Sequence, residues 1–229
     1  VKKFISLGGN VLGSGTKTEK LDLLKKKYPT VKVKKFDMIE HSRIEEFIDN
    51  VSLELGGLDI LVNNAGTNRP EHFTKVKKQD MDYVVDLNIK AAFNIAQSAV
   101  KTMLLSKKRK NLGGSIINMS SQLGHVGAPN RSVYSMTKFG IEGLTKGMAI
   151  DLAKNNIRVN CVCPTYVETP MVKQFFKDKK FKSSVLNTIP LGRLATESDV
   201  ASAVVFLASN ASSMITGSSL LIDGGWTAK

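Results

Sequence analysis

The sequence predicts an α/β domain: a doubly wound parallel sheet with helices on both faces, three α/β/α layers, and residues 1–229 forming a single domain. Three observations predict it. Short apolar runs alternate with helical periodicity along nearly the whole chain, the pattern of βα units rather than of hairpins. The runs at 114–119 and 157–163 are apolar on both faces (Ile116 beside Ile117, Val159 with Val162), as strands covered from both sides must be. Turn-forming residues close three of the runs: Asn63-Asn64-Ala65-Gly66, Ser120-Ser121 and Pro164-Thr165. In such sheets ligands gather at the carboxyl ends of strands. The chain has 229 residues, 42% apolar and 23% charged, which suits a globular domain with a large core, and no repeat, low-complexity tract or linker divides it.

The elements follow in order. Residues 4–7 read as a first strand, with Gly8-Gly9-Asn10 starting the turn after it, and 11–17 as the end of a second strand. A helix over 18–28 precedes a short strand at 31–36. Ser42-Arg43-Ile44-Glu45 has capping-box spacing and opens a helix to about Leu55. A strand at 58–63 and a loop at 66–70 lead to a long helical region from 79 through Asn88 to 106. Residues 114–119 form a strand, 132–155 a helix and 157–163 a strand. The stretch 164–190 is irregular with two short helices, 197–207 is a helix, and 219–222 is the last strand.

Composition excludes several functions. The net charge is +13, yet the lysines are spread over many helices and loops, with no aromatic-rich strand or recognition helix beside them; nucleic acid is not the expected partner. No apolar run reaches the roughly 18 residues of a membrane span, and the N-terminus lacks a signal-peptide pattern, so a cytoplasmic location is expected. Cys161 and Cys163 point to one face of a strand and pack as small hydrophobes. Their spacing from His41, His72 and His125 is not that of a metal site, and none is expected.

The chemistry is carried by Ser121, Tyr134 and Lys138. A free tyrosine has a pKa of about 10. A lysine four residues later sits on the same helical face, where its ammonium favours the phenolate and makes Tyr134 a general acid/base for alcohol–ketone interconversion. Ser121 supplies a hydrogen bond to the substrate oxygen as charge develops there.

Around these residues lie Leu61 to Gly66 (LVNNAG), Asp86-Leu87-Asn88, Ser115 to Ser121 (SIINMSS), Tyr134 to Lys138 (YSMTK), Arg158 to Pro164 (RVNCVCP) and Ile222 to Gly225 (IDGG). In this order they resemble the short-chain dehydrogenase/reductase family, from about Val31 to Lys229. The resemblance implies a Rossmann-type fold and an NAD(P)-dependent oxidoreductase acting on a secondary alcohol or ketone. It implies that Tyr134 exchanges the proton, that Lys138 also binds the nicotinamide ribose, that Ser121 orients the substrate, and that Asn88 holds a relay water. It further implies that Asp37 reads the adenine, that Asn63 and Gly66 lie beside the adenine ribose, and that Val167 and Thr169 hold the nicotinamide amide and the diphosphate, with Thr165 standing where the family usually has glycine. Gly8 falls in the expected phosphate turn. A homotetramer packed through the long helices is also implied.

The segments Gln122 to Arg131 and Asp223 to Trp226 look like those of the sugar, polyol and sugar-acid branch; a 3-oxoacyl-(acyl-carrier-protein) reductase is the alternative. A non-catalytic binding module is the alternative of another class. Arg69 and His125 are candidate contacts for a substrate carboxylate, although a surface or loop role is the default for each.

The N-terminus departs from the family pattern of strand, glycine turn, helix and second strand. The preferred parse has a helix and part of a strand absent between Asn10 and Val11, leaving the fold short of one N-terminal α/β element. A second parse takes Gly9, Gly13 and Gly15 as the phosphate-binding glycines, with the helix at 18 behind them. Cofactor choice is set at the end of the second strand, and residues 13–17 carry no acid but do carry Lys17, which leans towards NADP.

Overall fold

A computed structural model describes residues 1–105, 113–169, 172 and 176–228. The helices are α1 (Lys2–Ser6), α2 (Thr18–Lys27), α3 (Ile44–Leu55), α4 (Lys78–Val85), α5 (Ala91–Leu105), α6 (Ser132–Leu152), α7 (Lys179–Thr188) and α8 (Glu197–Ala208). The strands are β1 (Leu12–Gly15), β2 (Lys32–Lys35), β3 (Ile60–Asn63), β4 (Gly114–Met119), β5 (Ile157–Pro164) and β6 (Ser219–Ile222). All pairings are parallel. β3, β4, β5 and β6 form one sheet in that order, and β1 pairs with β2 in a second.

Parallel strands need covering on both faces, and two apolar clusters supply it. On one face Ile116, Ile157 and Val159 pack against Ile44 and Ile48 of α3, Ile95, Ala99 and Met103 of α5, and Ala149 of α6. On the other, Ile117 and Val162 meet Ala203, Val204 and Leu207 of α8, with Phe4 of α1 against them. Adjacent residues of one strand, Ile116 and Ile117, thus serve opposite layers, which makes three layers of α/β/α.

The N-terminus corrects the sequence reading. Residues 4–7 are not a strand; Lys2–Ser6 is a helical turn that places Phe4 on the α8 side of the sheet. It ends in a left-handed glycine cap: Gly8 has φ 79°, its N–H donates to the Ile5 carbonyl, and the Gly9 N–H donates to the Phe4 carbonyl. Gly8 is therefore a helix terminator. Gly13 and Gly15 lie inside β1, opposite Val33 and Lys35, so the second parse fails as well.

Residues 7–11 make an ordinary short link from α1 to β1, and no element needs to be inserted between Asn10 and Val11. Among the described residues no strand pairing joins β1–β2 to the sheet of β3 to β6.

Two further differences are local. Ser42 does not cap α3: a single 3₁₀ turn, His41–Arg43, precedes the helix, whose first residue follows Arg43 without a side-chain cap. The capping box is on α8 instead, where Thr196 accepts from the Asp199 N–H and Asp199 from the Thr196 N–H. Of the two short helices expected within 164–190, α7 is one; residues 170, 171 and 173–175 lie outside the described residues, as does Ser106 at the end of the long helical region.

Candidate active site

The site is built where neighbouring strands end. Asn63 closes β3, Ser120 and Ser121 follow β4, and Pro164 and Thr165 close β5. The first two turns of α6 lie across these ends. Four residues separate Tyr134 from Lys138 on that helix, so both side chains share one face.

Ser121 stands near enough to the Tyr134 hydroxyl to favour its ionised form. Ser121 Oγ also accepts from the Leu123 N–H at 3.2 Å, which locks the side chain at the head of a 3₁₀ turn. Lys138 is buried; its Nζ donates to the Met119 carbonyl at 2.8 Å and lies 5.4 Å from the centroid of the Tyr134 ring. Burial destabilises the ammonium and lowers its pKa to about 8, against the supporting charge of the Glu142 carboxylate.

Burial likewise raises the Tyr134 phenol, and neither Ser121 nor the charge of Arg131 offsets it. The expectation that Lys138 pulls the phenol down is not met in this state. The ammonium faces the ring and is bonded to a backbone carbonyl, so desolvation dominates.

Asn88 lies in a π turn, Asp86–Lys90, between α4 and α5. Its side chain is fully buried and ties three segments together: Oδ1 accepts from the Thr67 N–H at 2.8 Å, and Nδ2 donates to the Thr67 carbonyl at 2.9 Å and to Thr137 Oγ1 at 3.1 Å. An asparagine mid-helix needs such a reason, and π turns concentrate at functional sites. The pair of hydrogen bonds to Thr67 pins the loop after β3 beside the reacting groups. A Cβ on Gly66 would stand 3.3 Å from Asn88 Oδ1 and 3.8 Å from Lys138 Nζ, so this loop passes the site at a distance only glycine permits without a neighbour giving way.

The remaining candidates are spread. Asp37 follows β2 and accepts from the Ile39 N–H at 3.2 Å. The Asn63 side chain turns inward, donating to the Ala92 carbonyl at 2.8 Å and to Asn118 Oδ1 at 3.3 Å, so only its backbone is left to face a ligand. Gly66 is beside Asn88 and Lys138. Val167 bridges to Ala195, and Thr169 Oγ1 accepts from the Val172 N–H at 3.3 Å. Arg69 is occupied by Asp80 and by the Tyr83 ring, 4.4 Å away, and His125 stands 3.5 Å from Glu142.

Glu142 escaped the sequence reading, although it lies one turn after Lys138 on the same face. Its carboxylate is buried; against burial, hydrogen bonds from Ser120, Ser219 and Cys163, together with His125, hold its pKa below the ordinary value. Cys161 and Cys163 are buried free thiols.

A cavity of about 390 Å³ lined by His72, Phe73, Gly127, Ala128, Pro129, Asn130, Ser132 and Ser135 opens next to Tyr134 in sequence. Its lining includes neither Ser121 nor Lys138, so it flanks the reacting groups.

A nicotinamide nucleotide fits the Tyr134 end of the site. Gln122 Oε1 and Thr165 Oγ1, at the ends of β4 and β5, are buried without a hydrogen-bond partner among the described residues, a condition that a bound polar group relieves. The diphosphate end is different: the glycines at 8, 13 and 15 cap a helix or sit within a strand, and none forms a phosphate turn.

A parallel sheet with a serine, a tyrosine and a lysine gathered at its strand ends defines an oxidoreductase of the Rossmann type. The family model described as enoyl-(acyl carrier protein) reductase matches residues 1–227, and the chain belongs to the short-chain dehydrogenase/reductase family. A 3-oxoacyl-(acyl-carrier-protein) reductase of Thermotoga maritima is 38% identical over 226 residues, covering 97% of this chain and 89% of its own length. The 2-dehydro-3-deoxy-D-gluconate 5-dehydrogenase of Escherichia coli is 37% identical over 193 residues, 84% of this chain and 75% of the relative. The solved structure of a gluconate 5-dehydrogenase from Burkholderia cenocepacia, in complex with NADP and tartrate, superposes with a TM-score of 0.92 at 29% identity, covering 100% of this chain and 89% of that one.

Proposed function

We propose that the protein interconverts a secondary alcohol and a ketone of a sugar, polyol or sugar acid, with NAD(P) as cofactor and NADP preferred. The observation that carries this is the Ser121–Tyr134–Lys138 arrangement at the ends of β4 and β5, with Ser121 and Lys138 buried and Tyr134 half-buried. The bound nicotinamide supplies or accepts the hydride. In the reductive direction the Tyr134 hydroxyl gives its proton to the carbonyl oxygen, while the Ser121 hydroxyl donates a hydrogen bond to the same oxygen. The raised phenol suits this role, because it keeps the proton until the substrate oxygen becomes basic. The Lys138 ammonium stabilises charge left on the phenol and is the donor for the nicotinamide ribose hydroxyls. Asn88 is the anchor for a relay water beside Thr67.

For the rest of the cofactor, Asp37 would read the adenine, the Asn63 backbone and Gly66 would line the nucleoside, and Val167 and Thr169 would hold the amide and diphosphate. Lys17, exposed directly after β1, favours a 2′-phosphate where an acid would favour a free hydroxyl. The relatives' names support both the sugar-acid reading and the alternative, 3-oxoacyl-(acyl-carrier-protein) reduction. The non-catalytic alternative would retain these four polar residues without turnover.

A homotetramer through α5 and α6 is part of the proposal, since Phe93, Met136, Phe139 and Ile150 leave an apolar surface exposed on those helices. None of the helices is long and apolar enough to cross a membrane among the described residues, and a cytoplasmic location is proposed.

The test is a screen of ketoses, keto sugar acids, hydroxysteroid ketones and short 3-oxoacyl thioesters for nicotinamide oxidation. The reading expects a keto sugar acid to give the highest kcat/KM, and NADPH to exceed NADH by about tenfold or more, the discrimination of one charge-assisted contact. A thioester preference selects the alternative, and no turnover with any member selects the binding module.

A further inference from the structure

We propose that His125, Glu142 and Cys163 form a binding site for a thiophilic divalent transition ion, Zn²⁺ above all, at the edge of the Ser120–Ser121 turn. Each offers one ligand atom, and the three atoms lie within 4.8 Å of one another. Cys163 Sγ is 3.2 Å from Glu142 Oε1, and His125 Nε2 is 3.5 Å from the same oxygen. With Zn–S near 2.3 Å and Zn–N or Zn–O near 2.0 Å, a tetrahedral ion needs ligand separations of roughly 3.3–3.6 Å. Two of the three separations are therefore near coordination spacing, and the Cys163–His125 separation lies within 4.8 Å.

The surroundings also resemble those of a metal centre. Ser219 donates to Glu142 Oε2, so the carboxylate is oriented with Oε1 turned to the other two ligands. The mixed nitrogen, oxygen and sulfur set suits Zn²⁺ or Co²⁺ and not Mg²⁺ or Ca²⁺, and three protein ligands leave a fourth position open. His125 is exposed while the other two are buried, which gives the ion an approach from the surface. Bound as thiolate and carboxylate, Cys163 and Glu142 balance the two positive charges.

Topology conceals this site from the sequence. His125 follows the 3₁₀ turn after β4, Glu142 is on α6 and Cys163 is on β5, separated by 17 and 21 positions without a recognised spacing. Coordination replaces the Cys163 proton with the ion, since the thiolate is the ligating form.

Titration of the protein with Co²⁺, in the absence of nucleotide, tests the proposal. It should saturate at one ion per chain with a thiolate-to-cobalt charge-transfer band, which Zn²⁺ then bleaches by displacement. Cys163→Ser keeps a donor for Glu142 and should lose the band; His125→Ala, at an exposed position, should weaken binding by at least about tenfold. Absence of the band, or its survival unchanged in either variant, overturns the proposal and leaves a hydrogen-bonded network only. Cys161, the one other cysteine, would then be the source of a surviving band. A second arm rests on the proposed function. Zn²⁺ neutralises charge that supports the Lys138 ammonium and should inhibit turnover in the wild type but not in Cys163→Ser. Inhibition equal in both would refute that coupling while the cobalt spectrum decides binding.

Discussion

Tyr134→Phe should lower kcat for ketone reduction by about 10²–10⁴, the range for loss of a positioned general acid, while the dissociation constant for NADPH changes by less than about threefold, well under 1 kcal/mol. The substitution removes a single oxygen from a side chain whose ring packs against the Lys138 ammonium, and the ring remains. The interaction with Ser121 is lost, but Ser121 keeps its contact with the Leu123 N–H and hence its place. Nothing in the helix register or the strand ends depends on the hydroxyl. Stopped-flow turnover beside a fluorescence titration of the nicotinamide separates the two quantities. A fall in binding that matches the fall in rate would make Tyr134 a binding residue, and unchanged turnover would remove it from the chemistry altogether.

The second large effect concerns Lys138. Its folded pKa of about 8 lies below the value of a free lysine, because burial penalises the ammonium. The signs follow directly. Below pH 8 the side chain is charged in both folded and unfolded chains, and its burial costs stability. Between pH 8 and the ordinary lysine pKa only the unfolded chain holds the proton, so that cost is progressively relieved as pH rises. Activity runs the other way, since the ammonium is the working form.

In the reductive direction kcat/KM, which reports the free enzyme, should fall above about pH 8. The Tyr134 phenol, raised by burial, still carries its proton there. Lys138→Arg, always charged, should abolish this alkaline limb at a reduced plateau, whereas Lys138→Met should lose about 10² or more at every pH. An alkaline limb that persists in the arginine variant would assign it to another group.

How far the fold and site could be read in the sequence follows from which interactions are local. Tyr134 and Lys138 are four residues apart on one helix, and Ser121 ends an apolar run, so periodicity alone brings them within reach. The alternation of Ile116 and Ile117 between layers is likewise written in consecutive residues. Residues 4–7 were legible as a first apolar element but not as helical, because an apolar stretch of four residues suits a strand and a helical turn equally. Only the two hydrogen bonds that close α1 at Gly8 and Gly9 decide it.

Asn63 was read as facing the nucleotide, yet its amide satisfies Ala92 and Asn118, a need created by tertiary burial. The same holds for the phenol of Tyr134: spacing announces the neighbouring charge, whereas desolvation is known only once the strand ends close around it. Glu142, His125 and Cys163 meet through three separate elements, so no spacing rule reports them.

The central claim is a proton delivered by Tyr134 to an oxygen whose carbon receives hydride from the nicotinamide. Reduction of the preferred ketone with NADPH deuterated at the transferable C4 position, followed by mass spectrometry of the product, tests this most directly. The account predicts one deuterium on the carbinol carbon, with formation of that product suppressed in Tyr134→Phe in step with turnover. Product without deuterium, or deuterated product formed equally fast by the phenylalanine variant, would contradict it.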